Sequence, residues 1–270
     1  MKDRNKALQG RTAIITGSGQ NIGRSIALLF ASSGANVVIN GHRHQEAIEK
    51  VAQEARDLGG QAIAVMADVS NPDAVQNMVD SAIEKFGAVD IAVSNVSLRK
   101  RQNFSDISLE DWHQVINTNL NSAFYLAKAT IPGMKARGWG RIIHISGYDG
   151  SIGAAHRAHN VTCKGGLDAF AKAIATELGP YGITANTVSP GTIDTARIAK
   201  DYPNLQTKYE TMKKLIPVGR LGTSEDIAEA CLYLASDFGS FVNGQVININ
   251  GGALMITAHL DPIIEQLQVQ

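Results

Sequence analysis

The sequence predicts a doubly wound α/β fold, a parallel sheet with helices on both faces. Seven short apolar runs, at 12–16, 36–39, 62–66, 91–93, 141–146, 184–188 and 245–249, are separated by longer amphipathic stretches. The runs are near-continuously apolar rather than alternating, which is the pattern of strands covered on both faces by crossover helices. The first run leads straight into a glycine-rich turn and then a helical pattern. The segment 22–33 repeats apolar residues at helical spacing and stops at Gly34, and 45–58 does the same before Gly59 and Gly60, so both read as crossover helices. There is no internal repeat and no linker rich in Pro, Gly or Ser, so residues 1–270 read as one domain.

Composition narrows the function classes. Twenty-five basic residues balance 25 acidic ones, so no overall electrostatic footprint points to nucleic acid or an anionic membrane surface. Residues 1–11 are polar and mixed in charge, without the apolar stretch of a secretory signal, and no run approaches the length of a membrane span. Cys163 and Cys231 lie far apart and lack metal or disulfide spacing, which suits a reducing cytoplasm and no structural metal.

The turn after the first strand reads Thr16-Gly17-Ser18-Gly19-Gln20-Asn21-Ile22-Gly23. Glycines there let backbone approach a pyrophosphate, and the first helix turns its unpaired N–H groups and positive dipole end toward it. With this turn the chain resembles the short-chain dehydrogenase/reductase family, whose fingerprint is Thr-Gly-x-x-x-Gly-x-Gly. The resemblance covers nearly the whole chain: Asp68-Val69 after the third strand, Asn119 after the fourth, Ser189-Pro190-Gly191 with Thr195, Pro217 to Gly222 with Glu225-Asp226, and Gly251-Gly252. It implies a Rossmann-type sheet, a nicotinamide dinucleotide cofactor, and cofactor contacts from Gly17, Asn21, Ile22, Gly23, Asp68, Val69, Asn95, Lys164, Pro190, Gly191, Ile193 and Thr195. Asn21 holds the place of the middle glycine; it is the non-glycine residue best able to adopt positive φ, and its side chain is expected to crowd the pyrophosphate or bond to it. The fourth strand ends in Ser94-Asn95-Val96-Ser97 where the family has Asn-Asn-Ala-Gly, which adds side-chain volume at the cofactor.

Cofactor choice turns on the end of the second strand. A carboxylate there accepts bonds from the adenosine ribose and repels a 2′-phosphate. Here Asn40-Gly41-His42-Arg43 offers no acid, and His42 and Arg43 can pair with a phosphate, so NADP is expected ahead of NAD.

The family's catalytic set is a Tyr, a Lys four residues later, a Ser and an Asn. Lys164 and Asn119 are present, but Asn160 stands at the Tyr position and Gly147 at the Ser position. An amide cannot titrate near neutrality, so another proton carrier is required. His156 is one candidate, because residues 156, 160 and 164 share a stripe if the helix begins early enough; Tyr148, next to Gly147, is another. His159 and Cys163 form a second stripe, expected to face packing, and Cys231 sits among apolar neighbours as core. The run Arg99-Lys100-Arg101 after the fourth strand reads either as a solvated loop or as capture of an anionic substrate group.

Two segments break the α/β alternation. Residues 192–217 are expected to form a substrate lid, the alternative being a variable surface insertion, and the apolar extension 253–270 either docks on a sister subunit in a homodimer or homotetramer or is a frayed tail. The function expected is a small-molecule oxidoreductase with a non-standard proton path. An SDR-fold lyase, isomerase or dehydratase and a non-catalytic nucleotide-binding protein remain alternatives.

Overall fold

A computed structural model describes residues 6–196 and 204–254. Its centre is one seven-stranded parallel sheet in the order β3-β2-β1-β4-β5-β6-β7. The strands are β1 (Thr12–Ile15), β2 (Asn36–Gly41), β3 (Ala62–Met66), β4 (Ile91–Ser94), β5 (Gly140–Ile145), β6 (Ile183–Pro190) and β7 (Val246–Ile249). The helices between them are α1 (Asn21–Ser32), α2 (Gln45–Asp57), α3 (Pro72–Phe86), α4 (Leu109–Ile116), α5 (Ser122–Arg137), a one-turn α6 (Asp149–Ile152), α7 (Ala158–Leu178), α8 (Leu205–Leu215) and α9 (Ser224–Ala235). The expected doubly wound fold is present, with each strand within two residues of its expected place. The reversal of strand order falls between β1 and β4, which is where open α/β sheets place their ligand crevice.

The two-residue period of the strands divides the core into two layers. Ala13, Ile15, Val37, Ile39, Ile91, Val93, Ile143 and Ile145 face the layer that holds α1, α2 and α9. Ile14, Val38, Ala92, Ile142 and Ala185 face the opposite layer, under α3, α5 and α7. Phe30 of α1 is fully buried in the first layer, a contribution of about 1.5–3 kcal/mol. Two-sided cover holds for the inner strands and not for the edges: β3 and β7 are mostly half-exposed, because each has a neighbour on one side only.

Local chemistry sets the helix ends. Asn71 caps α3 by accepting from the amides of Asp73 and Ala74, Pro72 occupies its first position, and Gly87 ends it in the left-handed region. Thr223 and Asp226 form a capping box on α9. Between α4 and α5, residues Asn117–Asn121 form a π-helical turn that buries Asn119. No described helix is long and apolar enough to cross a membrane, and the described residues hold no group of three or more His, Cys, Asp or Glu able to ligate a metal. Of the expected lid, 197–203 lie outside the described residues, as do 255–270 of the C-terminal extension.

The turn between β1 and α1 is held from both neighbouring strands. Asn40, 1% exposed at the end of β2, accepts from the Gly17 amide at 3.1 Å and donates to the Val65 and Ala67 carbonyls at 3.3 and 3.2 Å. Ser18 and Asn40 exchange two further bonds, from the Ser18 amide to the Asn40 carbonyl and from the Asn40 amide to Ser18 Oγ, each 2.9 Å. Replacing Asn40 by Leu keeps approximate volume and removes these side-chain bonds inside a dry core. Urea unfolding of Asn40→Leu is expected to show a loss of about 2–4 kcal/mol; a loss below about 0.5 kcal/mol would contradict this role for Asn40.

Candidate functional site

All the strand ends that bear site residues lie on one edge of the sheet, the carboxyl edge, as the parallel arrangement requires. Gly17 has φ +63° and Asn21 φ +50°, so the turn keeps its shape with asparagine at the middle position. At Gly23 a Cβ would lie 2.4 Å from the Gly17 carbonyl oxygen and 2.7 Å from Asn95 Nδ2, so only glycine fits there. Asn95 at the end of β4 donates through Nδ2 to the carbonyls of Thr16 and Gly17 at 3.0 and 3.1 Å. The turn is thus fastened to β2 by Asn40 and to β4 by Asn95.

The side chain of Asn21 does not point where the sequence suggested. Its Oδ1 accepts from the Ala196 amide at 3.0 Å and its Nδ2 donates to the Ala196 carbonyl at 3.3 Å. The amide is therefore committed to the segment after β6 rather than to the ground in front of the turn.

Two cavities flank the turn. One is lined by Gly17, Gly41, His42, Arg43, Asp68 and Val69. His42 and Arg43 are exposed at its rim, and His42 Nδ1 lies 3.7 Å from an Asp68 carboxylate oxygen. Burial pushes the Asp68 carboxyl up, but hydrogen bonds from the amide and hydroxyl of Ser70 and the charges of His42 and Arg43 outweigh it, so the net direction is down. The second cavity brings together Ile22, Asn95, Tyr148, Asn160 and Lys164 with Pro190, Gly191, Ile193 and Thr195.

Lys164 lies at the bottom of that second cavity, 6% exposed, with Nζ donating to the Ile145 carbonyl at 2.8 Å. Burial lowers its pKa to about 7, and the charges of Arg99 and Arg157 act in the same direction. Asp168, one turn further along α7, is a weak counter-ion because burial raises its own carboxyl pKa. Asn160 is buried one turn before Lys164; it donates to the Leu98 carbonyl at 3.3 Å and accepts from Arg157 at 3.2 Å. Asn119 is turned onto the same loop, accepting from the Leu98 amide at 2.7 Å and donating to its carbonyl at 2.9 Å. A Cβ at Gly147 would have no neighbour within 4 Å, so that part of the wall is open.

His156 is not on the stripe expected of it. The helix begins at Ala158, and His156 precedes it with φ +63°, exposed and absent from the cavity lining. The chain turns there because the Gln102 amide donates to the His156 carbonyl at 2.9 Å, so the backbone is engaged before the helix can start. His159 and Cys163 are fully buried as the second stripe; burial lowers the imidazole and raises the thiol to about 11, which leaves Cys163 a poor nucleophile. Cys231 is core, with its thiol pushed up by burial.

Sequence reasoning missed Arg157, Asp149 and Tyr209. Arg157 pairs with Asp149 and holds Asn160, and all three missed residues line the second cavity. The spacing of Arg157, three residues before Asn160, was a usable signal. Of the basic run, Arg99 and Arg101 line the cavity, whereas Lys100 turns away onto Asp111.

A parallel sheet with a glycine turn at the head of α1, and both cavities on its carboxyl edge, defines a Rossmann-type α/β protein. A family model described as enoyl-(acyl carrier protein) reductase matches residues 17–253. The 3-oxoacyl-(acyl-carrier-protein) reductase of Pseudomonas aeruginosa is 36% identical over 249 residues, 92% of this chain and 99% of that protein. The L-rhamnose 1-dehydrogenase (NAD(P)(+)) of Azotobacter vinelandii is 37% identical over 247 residues, 90% of this chain and 96% of that protein. A solved structure from Sinorhizobium meliloti, described as a short-chain alcohol dehydrogenase, superposes with a TM-score of 0.88 at 29% identity, covering 93% of this chain and 99% of that one. The chain belongs to the short-chain dehydrogenase/reductase family, a family of NAD(P)-dependent oxidoreductases.

The buried lysine has a thermodynamic signature. Its folded pKa of about 7 lies below the unfolded 10.5, so the folded state binds fewer protons between those values and stability rises with pH across the window. The penalty is full below pH 7 and gone above pH 10.5. Lys164→Met removes it, and its stability relative to wild type is expected to be greater at pH 6 than at pH 9 by roughly 2–3 kcal/mol in denaturant unfolding. An equal difference at the two pH values would contradict the burial of the charge.

Proposed function

We propose that the protein is an NADP(H)-preferring oxidoreductase that interconverts a small carbonyl compound and its alcohol, with Lys164 carrying the proton. The observation that carries this reading is the buried amine of Lys164 at the foot of a cavity whose wall is open at Gly147 and lined by Asn160. Those two positions are where the family's Ser and Tyr are expected, so a titrating group must come from elsewhere, and Lys164 is buried at the right place.

The residues present fit a dinucleotide. The glycine turn exposes N–H groups at the head of α1, and Gly17, Asn21, Ile22 and Gly23 would hold the pyrophosphate there. Asp68 and Val69 would border the adenine, with His42 and Arg43 against a 2′-phosphate; no carboxylate ends β2 to oppose one. Asn95 and Lys164 would meet the nicotinamide ribose, and Pro190, Gly191, Ile193 and Thr195 the nicotinamide side of the cavity. When bound, the cofactor supplies or accepts a hydride.

The chain supplies the proton and the positioning. As an ammonium, Lys164 gives a proton to the oxygen of a carbonyl being reduced; as a neutral amine, it takes the proton from an alcohol being oxidised. Tyr148 lines the same cavity and would hydrogen-bond that oxygen. Asn119 and Asn160 hold the Leu98 loop that forms one side of the cavity. The described part of 192–217 would serve as the lid, and Ile193, Thr195 and Tyr209 from it line the cavity.

Titrating the protein with NADPH and NADH by nicotinamide fluorescence is expected to show at least about tenfold tighter NADPH binding, with most of that preference lost in Arg43→Ala. Equal affinities, or tighter NADH, would contradict the cofactor assignment. The pH–rate profile gives a second expected outcome. Reduction needs the ammonium, so kcat/KM, which reports the free protein, is expected to fall as pH rises through about 7, while that of oxidation rises through the same value. Lys164→Met is expected to lose about a hundredfold or more in kcat in both directions and to lose this inflection; retention of the inflection in that variant would assign the proton to another group.

A further inference from the structure

We propose that the substrate itself carries an anionic group, a carboxylate or a phosphate, which the cavity holds on Arg101 and Arg157 while its reacting oxygen faces Lys164. The inference rests on the reading of this cavity as the reaction site.

The charge of the lining is one-sided. Arg99, Arg101, Arg157 and Lys164 line it, and the one carboxylate among the described lining residues, Asp149, is paired with Arg157. The excess is local, because the chain as a whole has 25 basic and 25 acidic residues. It is also selective. Arg99, Lys100 and Arg101 are consecutive in a stretch with neither helix nor strand; the two arginines line the cavity and the lysine between them is drawn off by Asp111. Lys100 is half-buried and spent on Asp111, whereas Arg99 and Arg101 are exposed and line the cavity.

Guanidinium groups match planar carboxylates and phosphates through paired N–H donors, which a neutral alcohol or sugar does not need. The positive field is felt inside the cavity, since the charges of Arg99 and Arg157 disfavour the Lys164 ammonium. An anion placed among these groups relieves that repulsion and strengthens the proton-holding form of the lysine when substrate is seated. Arg157 binds Asn160, one turn before Lys164 on α7, and all three line the same cavity. Hydroxy or oxo acids, and phosphate esters with a free hydroxyl or carbonyl, are the simplest compounds that carry both an anionic group and a reacting oxygen.

The test compares charged compounds with neutral partners in the NADP-loaded protein: 3-hydroxybutyrate against its methyl ester, and glycerol 3-phosphate against glycerol. Oxidation is followed by nicotinamide absorbance, and binding to protein with and without cofactor by calorimetry. At least one anion is expected to exceed its neutral partner by about tenfold in kcat/KM or affinity, with an advantage that shrinks as salt rises. Preference confined to one pair identifies the carboxylate or the phosphate as the recognised group. Arg101→Gln, at the exposed rim, is expected to raise KM for the preferred anion about tenfold with NADPH affinity unchanged. Arg157→Gln is expected to cost more, and because it also frees Asp149 and Asn160, Arg101→Gln decides the matter. Neutral partners bound or oxidised as well as the anions, no binding of either anion, or Arg101→Gln weakening NADPH instead of substrate overturns the proposal. Salt-sensitive anion binding in a protein that takes up no NADPH would uphold it and refute the oxidoreductase reading alone.

Discussion

An amine buried with a single backbone carbonyl for a partner is the constraint around which the rest of the site is built. Lys164 is anchored to Ile145 at the end of β5, so its position depends on the packing of α7 against the central sheet. That packing is close. A Cβ at Gly150 in the one-turn α6 would lie 2.8 Å from the Gly165 amide and 2.8 Å from the Lys164 Cβ, so the loop after β5 rests directly on the helix backbone. With α7 held in this way, Lys164 leaves the helix at a buried position and reaches the end of β5. Its proton affinity falls because the charge has nowhere better to go.

A second consequence concerns the link between the turn at α1 and the segment that follows β6. Asn40 and Asn95 fasten the turn to the sheet, and Asn21 reaches across to hold both backbone groups of Ala196. Where glycine would leave the turn independent, asparagine ties the ground proposed for the pyrophosphate to the start of the proposed lid.

Much of the fold was legible because its signals are local. Near-continuous apolar runs at seven places mark buried parallel strands, and Gly17 with Gly23 at the end of the first run marks the turn, whatever lies elsewhere in the chain. What escaped depends on distant partners. Asn21 was read correctly for its backbone and wrongly for its side chain, since its partner Ala196 is 175 residues away. Asn40, read from sequence only as part of a strand end without an acid, is a buried clamp on the turn. His156 failed because helix periodicity was extended two residues past where the backbone starts the helix. Arg157 carried only its spacing, three residues before Asn160; its meaning comes from Asp149 on one side and Asn160 on the other, contacts that the folded loop creates.

The lysine and its cationic neighbours make one electrostatic system. Burial, and after it the positive charge of Arg99 and Arg157, lowers the amine, and in the proposal made above the arginines of the same cavity select what is brought to it. The direct test is a nitrogen-detected NMR titration of the Lys164 side chain, assigned by comparison with a variant lacking that amine. A midpoint near 7 is the result this account predicts. A midpoint near the ordinary 10.5 would mean that the amine is hydrated, and would contradict the assignment of the proton to Lys164.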